Sequence, residues 1–143
     1  MNRLAANRLF LALAAAGAVF SGTMSAFRFV EDHCPLDEPC PFFLGYPACY
    51  YGFAMFLGLF GSALAHVNAS SREPIRRHLV LATLGTLFSL NFALEEVASG
   101  HIFNSHLGLN TCIWGFVFFS ALFCVAYLQW KEASKAEVSR TVV

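Results

Sequence analysis

The sequence predicts an all-α integral membrane protein: a bundle of four transmembrane helices with both termini in the cytoplasm. Hydrophobic residues make up 57% of the 143-residue chain and charged residues only 13%, whereas about a quarter of a soluble domain is charged. The apolar residues form four long runs, and the basic residues cluster on one side of them. This length allows one domain, residues 1–143. The expected partner is the lipid bilayer, and a net charge of zero gives no support to a nucleic-acid partner.

The apolar runs have the length of membrane-spanning helices. They cover about residues 9–30, 45–67, 79–97 and 107–130. A helix needs about 20 residues to cross roughly 30 Å of hydrocarbon, and the third run reaches that length only if it includes Glu95 and Glu96. Inside lipid the backbone must satisfy its own hydrogen bonds, so we expect each run to be helical.

The first run has an alternative interpretation. Arg3 and Arg8 precede an apolar stretch that ends in small residues at positions 23–26, a pattern typical of a secretory signal peptide and its cleavage site. The run stays apolar beyond that point, as far as Val30. We therefore interpret it as the first membrane helix.

The basic residues predict the orientation of the helices. Eight of the nine lie before helix 1, between helices 2 and 3, or after helix 4, and Arg28 alone lies on the other side. Basic residues mark the cytoplasmic side of a membrane protein. We therefore expect a multi-pass protein of the plasma membrane (the bacterial inner membrane), with an extracytoplasmic Cys/Pro loop at 31–44 and a polar cytoplasmic tail at 131–143.

Four of the five cysteines lie on the predicted outer side. Cys34 and Cys40 belong to the outer loop, Cys49 lies near the start of helix 2, and Cys112 lies near the start of helix 4. Disulfides persist in an oxidising compartment. Two interpretations stay open: a structural Cys34–Cys40 disulfide, or a thiol–disulfide relay in which a loop thiol meets a thiol at a helix end.

Two stretches resemble a known superfamily. Residues 38–44, Glu-Pro-Cys-Pro-Phe-Phe-Leu, resemble the first periplasmic loop of the bacterial DsbB-type disulfide-forming proteins. Residues 44–52, Leu-Gly-Tyr-Pro-Ala-Cys-Tyr-Tyr-Gly, are similar to the start of helix 2 in relatives of vitamin K epoxide reductase. The resemblance implies a four-helix membrane bundle, a bound quinone, an outer loop cysteine pair and a second pair near the quinone.

The chain departs from that superfamily at the second cysteine pair. Those families place a Cys-x-x-Cys beside the quinone, but here Phe43 follows Cys40 at that spacing and Gly115 follows Cys112. Two interpretations stay open. One is a relay with single thiols, in which Cys112 or Cys49 pairs with a loop cysteine. The other is a relative that kept the bundle and lost the reaction.

The sequence therefore predicts a membrane thiol–disulfide, quinone-linked oxidoreductase-like protein. Its candidate catalytic residues are Cys34, Cys40, Cys49 and Cys112, and a periplasmic thiol protein is its expected partner. The alternative is a non-catalytic accessory subunit or assembly factor of a larger membrane complex, with a structural Cys34–Cys40 disulfide.

Polar residues near the outer side give two further candidate sites. Asn91 and Glu95 are four residues apart on helix 3 and share one face. They could bind a quinone carbonyl or hold helix 3 to a neighbour. Glu95 and Glu96 with His101 and His106 are a weaker candidate for a metal site by ligand type. Their spacing matches no compact metal motif, and the alternative is that they lie in the headgroup layer.

Small residues predict close helix contacts. Gly17 and Ser21 lie four residues apart on helix 1, and Gly58, Gly61 and Ala65 form a stripe on helix 2. Small side chains let two helix backbones approach each other inside a membrane. We therefore expect both sets to pack against neighbouring helices.

Overall fold

A computed structural model describes residues 3–31, 41–67, 73–98, 100 and 111–141. This part of the chain contains four helices, α1 (Arg3–Glu31), α2 (Ala48–Val67), α3 (Glu73–Ala98) and α4 (Thr111–Thr141). Two short antiparallel strands, β1 (Phe42–Phe43) and β2 (Tyr46–Pro47), form a β-hairpin just before α2. The predicted helical class and the four apolar helices are confirmed.

Each helix contains a stretch that is long and apolar enough to cross a membrane. These stretches are Ala5–Val30, Ala48–Ala65, Ile75–Ala98 and Thr111–Lys135. Between 22% and 33% of each apolar window is buried inside the bundle, so most of the apolar surface faces outward. An outward apolar surface of this extent fits a multi-pass membrane protein and not a monomeric soluble one.

Helix boundaries differ from the predicted ones at several places, and α1 and α3 each begin six residues earlier, at Arg3 and Glu73. α2 begins at Ala48 and not at residue 45, because the chain first turns through the β-hairpin. Leu44 and Gly45 form that turn with φ angles of 50° and 86°, the pair of positive values that suits a tight turn between antiparallel strands. At the other end of the chain α4 continues to Thr141, so most of the predicted polar tail is helical.

Two sequence patterns occur twice in the chain. Leu-x-Leu-Ala-x-x-Gly-x-x-Phe-Ser stands at residues 11–21 of α1 and again at 79–89 of α3. Cys-x-x-Gly-Phe-x-x-Phe-x-x-Leu-Phe-x-x-Ala stands at 49–63 of α2 and again at 112–126 of α4. The bundle is therefore built from two repeats, repeat 1 (α1 and α2) and repeat 2 (α3 and α4).

Within each repeat a glycine of the first helix receives a phenylalanine ring of the second. A Cβ atom added to Gly17 would overlap the ring of Phe56, and one added to Gly85 would overlap the ring of Phe119. α1 accordingly packs mainly against α2, and α3 mainly against α4. The small-residue contact predicted at Gly17 is confirmed.

Equivalent residues of the two repeats also meet each other at the centre of the bundle. Phe56 stacks on Phe119 with ring centroids 4.1 Å apart, and Phe10 stacks on His78 with ring centroids 4.4 Å apart. All four side chains are fully buried. Residues that contact their own equivalents lie on a two-fold axis, so an approximate two-fold axis passes between the repeats.

The two ends of the bundle differ. Gln129 Nε2 donates a hydrogen bond of 2.9 Å to Asn7 Oδ1, so the start of α1 lies beside the later part of α4. We call this the terminal end. The opposite end carries the β-hairpin and the starts of α2 and α4, and we call it the β-hairpin end.

The small-residue stripe predicted on α2 lies at the surface of the bundle. Gly58, Gly61 and Ala65 are all exposed, so the close helix contact predicted for them stays a prediction. The buried face of α2 carries Phe56 and Leu59 instead. Large side chains on that face reach the axis, where they add more contact than glycine would.

Candidate functional site

A cavity of about 60 Å³ lies near the β-hairpin end, between all four helices. Twelve of its thirteen lining residues form six equivalent pairs of the two repeats. Among these pairs are Ser21 with Ser89, Cys49 with Cys112, and Phe56 with Phe119. The cavity therefore lies on the approximate two-fold axis, and each repeat supplies half of its wall.

Two of the four predicted catalytic cysteines line this cavity. Cys49 and Cys112 are the second residues of α2 and α4, and both are half-buried. α2 and α4 both start at the β-hairpin end, so the fold places both cysteines in the wall of one cavity. Gly52 and Gly115, one turn further along, have open space where a Cβ would stand, which leaves room beside each sulfur.

The side chains next to Cys49 come from α1. Ser25 is hydrogen-bonded to the Cys49 side chain, and the Ser25 hydroxyl donates its own proton to Ser21 O at 2.8 Å. Arg28 lies one turn later in α1, and its guanidinium carbon lies 5.7 Å from the centroid of the Phe42 ring.

The β-hairpin supports the wall of the cavity from outside. The Phe43 ring packs edge-on against Phe88 and Phe92, with centroid distances of 5.5 Å and 6.3 Å, and both of these rings line the cavity. Tyr51 packs against the same Phe43 ring at 5.4 Å and donates its hydroxyl proton to Phe43 O at 3.1 Å. The position of the β-hairpin is thus fixed relative to the cavity.

Most of the cavity wall is apolar. Ser21 and Ser89 line it, but each hydroxyl donates at 2.7 Å to a carbonyl of its own helix, Gly17 O and Gly85 O respectively. Their protons are therefore used inside α1 and α3 and are not offered to a ligand. Phenylalanine rings supply much of the remaining surface, and the two thiols are its reactive groups.

The predicted quinone-binding pair lies elsewhere on α3. Asn91 and Glu95 are both exposed, and the residues of α3 that line the cavity are Phe88, Ser89 and Phe92. Asn91 and Glu95 are therefore not part of the cavity wall. Binding of a quinone at Asn91 and Glu95 stays a prediction that the cavity does not support.

The predicted loop disulfide falls outside the described residues, because Cys34 and Cys40 both lie there. Within the part of the chain that the structure describes, no disulfide joins Cys49, Cys112 and Cys124. The Cys34–Cys40 disulfide stays a prediction.

The predicted metal site is only half described. His101 and His106 lie outside the described residues, whereas Glu95 and Glu96 lie near the end of α3. Among residues 3–31, 41–67, 73–98, 100 and 111–141, no group of three or more His, Cys, Asp or Glu could hold a metal ion. The metal site also stays a prediction.

Sequence reasoning missed that Cys49 and Cys112 occupy equivalent positions. A search for Cys-x-x-Cys finds nothing, because each thiol of the pair belongs to a different repeat. The shared Cys-x-x-Gly-Phe at 49–53 and 112–116 carries the signal that would have joined them. Ser25 and Arg28 were not recognised as neighbours of Cys49, because only the fold brings the end of α1 beside the start of α2.

Comparison of the chain with known protein families, with curated proteins and with solved structures finds no match. The resemblance to DsbB-type proteins and to relatives of vitamin K epoxide reductase therefore rests on the residues quoted for it, and it stays a prediction.

Proposed function

We propose that the chain spans the membrane with both termini in the cytoplasm and the β-hairpin end outside. The basic residues support this orientation, because those of the terminal end, such as Arg8 and Lys131, far outnumber the single Arg28 near the β-hairpin end. Basic residues are retained on the cytoplasmic side during insertion. In this orientation the cavity opens near the oxidising side of the membrane.

The function that the cavity favours is that of a thiol–disulfide oxidoreductase linked to a quinone. The observation that carries it is that Cys49 and Cys112, one from each repeat, line the same apolar cavity. The sequence predicted that a helix thiol pairs with a thiol of the loop. In this proposal the two helix thiols pair with each other across the two-fold axis.

The redox step involves both thiols. Cys49 and Cys112 form one S–S bond and release two protons and two electrons. A quinone bound in the cavity would accept both electrons and both protons and become a hydroquinone. The residues fit such a ring, because the wall is aromatic and about 60 Å³ of space exceeds by several-fold the roughly 10–15 Å³ that one water requires.

Thiol trapping of the purified protein in lipid nanodiscs tests this proposal. The reduced protein is incubated with a soluble quinone, quenched with acid and alkylated, and the cysteine-containing peptides are identified by mass spectrometry. Cys49 and Cys112 should both become protected from alkylation, and a dithiol protein should restore them. Cys49→Ser and Cys112→Ser should each abolish the protection, whereas Cys124→Ser, on the exposed side of α4, should leave it intact. Full alkylation of both thiols after quinone treatment would exclude the redox function.

The second candidate is an accessory subunit of a larger membrane complex. The exposed stripe of Gly58, Gly61 and Ala65 on α2 favours it, because such stripes admit the close approach of another membrane helix. Gly61→Leu should then release a co-purifying membrane subunit while quinone-dependent protection of the thiols is unchanged. Substitution of Gly52 is the control. Because Gly52 lines the cavity, its substitution should change the reactivity of the thiols and leave the exposed stripe unchanged.

A further inference from the structure

The terminal end carries exposed basic side chains on three of the four helices. They are Arg8 of α1, Arg76 and Arg77 of α3, and Lys131 of α4. Arg8 lies 68 residues before Arg76, the same separation as between Gly17 and Gly85. Arg8 and Arg76 are therefore equivalent residues, and each repeat presents an arginine at the same place on its first helix.

The basic residues of α1 and α3 lie at a similar height along the bundle. The Phe10 ring stacks on the His78 ring with centroids 4.4 Å apart, so these two residues are level with each other. Arg8 lies two residues before Phe10, and Arg77 lies one residue before His78. Since each residue of a helix rises by about 1.5 Å, the arginines of the two helices differ little in height.

The basic residue of α4 lies at that height as well. Gln129 Nε2 donates a hydrogen bond of 2.9 Å to Asn7 Oδ1, Lys131 follows Gln129 by two residues, and Arg8 follows Asn7 directly. The four side chains thus surround the bundle at one level. We call this set the basic layer; its members are Arg8, Arg76, Arg77 and Lys131.

The exposed surface becomes apolar on the side of the basic layer that faces the centre of the bundle. Leu9, Val80 and Tyr127 are 44%, 53% and 49% exposed, and they come from the same three helices. Trp130 precedes Lys131, and tryptophan is enriched where hydrocarbon meets the headgroups. The basic layer therefore lies at the level of the lipid headgroups, with apolar surface for the acyl chains beside it.

Basic side chains outnumber acidic ones at this level. Lys135, one turn beyond Lys131, is also exposed. Among the side chains that the structure describes at the terminal end, the exposed acidic one is Glu132. An excess of like charge destabilises a folded protein by repulsion, so anions bound at this level would stabilise the bundle.

We propose that the basic layer binds the phosphate groups of anionic phospholipids, a function separate from the redox site near the β-hairpin end. Anionic headgroups attract basic residues that lie next to a membrane span, and a guanidinium group can bind two phosphate oxygens at once. The acyl chains of the same lipids cover the apolar surface beside the layer. Bound lipid neutralises the repulsion among the basic residues and stabilises the packing of α1, α3 and α4.

Lipid retention and thermal stability of the purified full-length protein test this proposal. The protein in detergent is mixed with equal amounts of phosphatidylglycerol and phosphatidylcholine, and the lipids that stay bound are identified by native mass spectrometry. The wild type should retain a several-fold excess of phosphatidylglycerol, and phosphatidylglycerol should raise its Tm more than phosphatidylcholine does. Glutamine at all four positions of the basic layer should remove both effects. Arg28→Gln, near the β-hairpin end, is the matched control and should keep both.

Single substitutions keep the test decisive if the variant with four glutamines does not fold. Arg8→Gln and Lys131→Gln should each lower the excess of phosphatidylglycerol, whereas Arg8→Lys should preserve it because the charge is retained. Equal retention of the two lipids by the wild type would overturn the proposal, and so would an equal loss in Arg28→Gln. A rise in Tm caused by soluble glycerol phosphate, without selective retention of phosphatidylglycerol, would mean that the layer binds free phosphate groups and not lipid.

Discussion

At the residue scale, two glycines determine how closely the helices of each repeat approach. Gly17 and Gly85 receive the rings of Phe56 and Phe119, which are also stacked on each other at 4.1 Å. Because both rings are fully buried, neither can move aside without losing contact with the other. A methyl group at either glycine therefore disturbs the centre of the bundle.

We predict that Gly85→Ala destabilises the protein by about 1–3 kcal/mol, the usual effect of overfilling a packed core. Thermal unfolding in detergent, followed by circular dichroism, measures this effect. Gly61→Ala is the matched control, because an added Cβ there meets nothing within 4 Å. The control should be neutral or stabilising by up to about 1 kcal/mol, since alanine favours helix more than glycine does. Equal losses in both variants would contradict the described contact.

At the scale of elements, the β-hairpin is short and is held by a few identified contacts. Its two strands pair Phe42 with Pro47 and Phe43 with Tyr46, and Ala48 N donates to Pro41 O at 2.9 Å as α2 begins. An isolated hairpin of this size is marginal in water. Its packing on α2 and α3 therefore accounts for its stability.

Leu44 is the strained residue of this β-hairpin, because its φ of 50° is unfavourable for a bulky side chain. We predict that Leu44→Asn stabilises the turn by about 1 kcal/mol, since asparagine tolerates this conformation better. Hydrogen exchange at the Ala48 amide reports the effect as slower exchange. Leu44→Val, with a branched side chain at the same position, should exchange faster than the wild type. Identical rates in the three proteins would argue against the turn.

Tyr51 joins the β-hairpin to α2 through its hydroxyl group. We predict that Tyr51→Phe weakens this attachment by about 0.5–1.5 kcal/mol, the net value of one hydrogen bond, while the ring contact with Phe43 remains. Exchange at the amides of residues 42–46 should become faster. Tyr127→Phe, on the exposed side of α4, is the control and should leave these amides unchanged. An unchanged rate in Tyr51→Phe would mean that the bond contributes nothing.

At the scale of the whole molecule, the repeats explain why the cavity lies on the axis and why two cysteines share it. The loop between α1 and α2 is longer than that between α3 and α4, and the predicted Cys34–Cys40 loop belongs to the longer one. The repeated part is thus the bundle, and the two connections differ in length. The cavity is lined almost entirely by equivalent residues of the two repeats, whereas the loops that follow α1 and α3 differ in length.

The proposed orientation of the chain in the membrane can be tested by labelling single cysteines at its two ends. In a protein without native cysteines, Leu44→Cys should react with a membrane-impermeant maleimide in intact spheroplasts, because the β-hairpin end is expected outside. Lys135→Cys, on the exposed surface of α4 near the terminal end, should react only after the membrane is permeabilised. The reverse pattern would invert the proposed topology.

Hydropathy and charge predicted the four helices, because span length and composition are local properties of the chain. The buried face of each helix could not be predicted in the same way. α4 is apolar on nearly all sides, so its sequence gives no periodicity to follow. The exposure of Gly58 on α2 and of Asn91 on α3 likewise depends on how the helices pack and not on the local sequence. The equivalence of Cys49 and Cys112 could be recognised from the sequence only by comparing the two halves of the chain.

The central claim is that Cys49 and Cys112 form one redox pair across the axis, and a single titration tests it most directly. The reduced protein in nanodiscs is titrated with a soluble quinone, hydroquinone formation is followed by absorbance, and the disulfides are mapped by mass spectrometry. The account predicts a Cys49–Cys112 disulfide that accumulates with one hydroquinone per bond and is absent in Cys112→Ser. Quinone that stays oxidised, or a disulfide that joins other cysteines while Cys49 and Cys112 remain thiols, would contradict it.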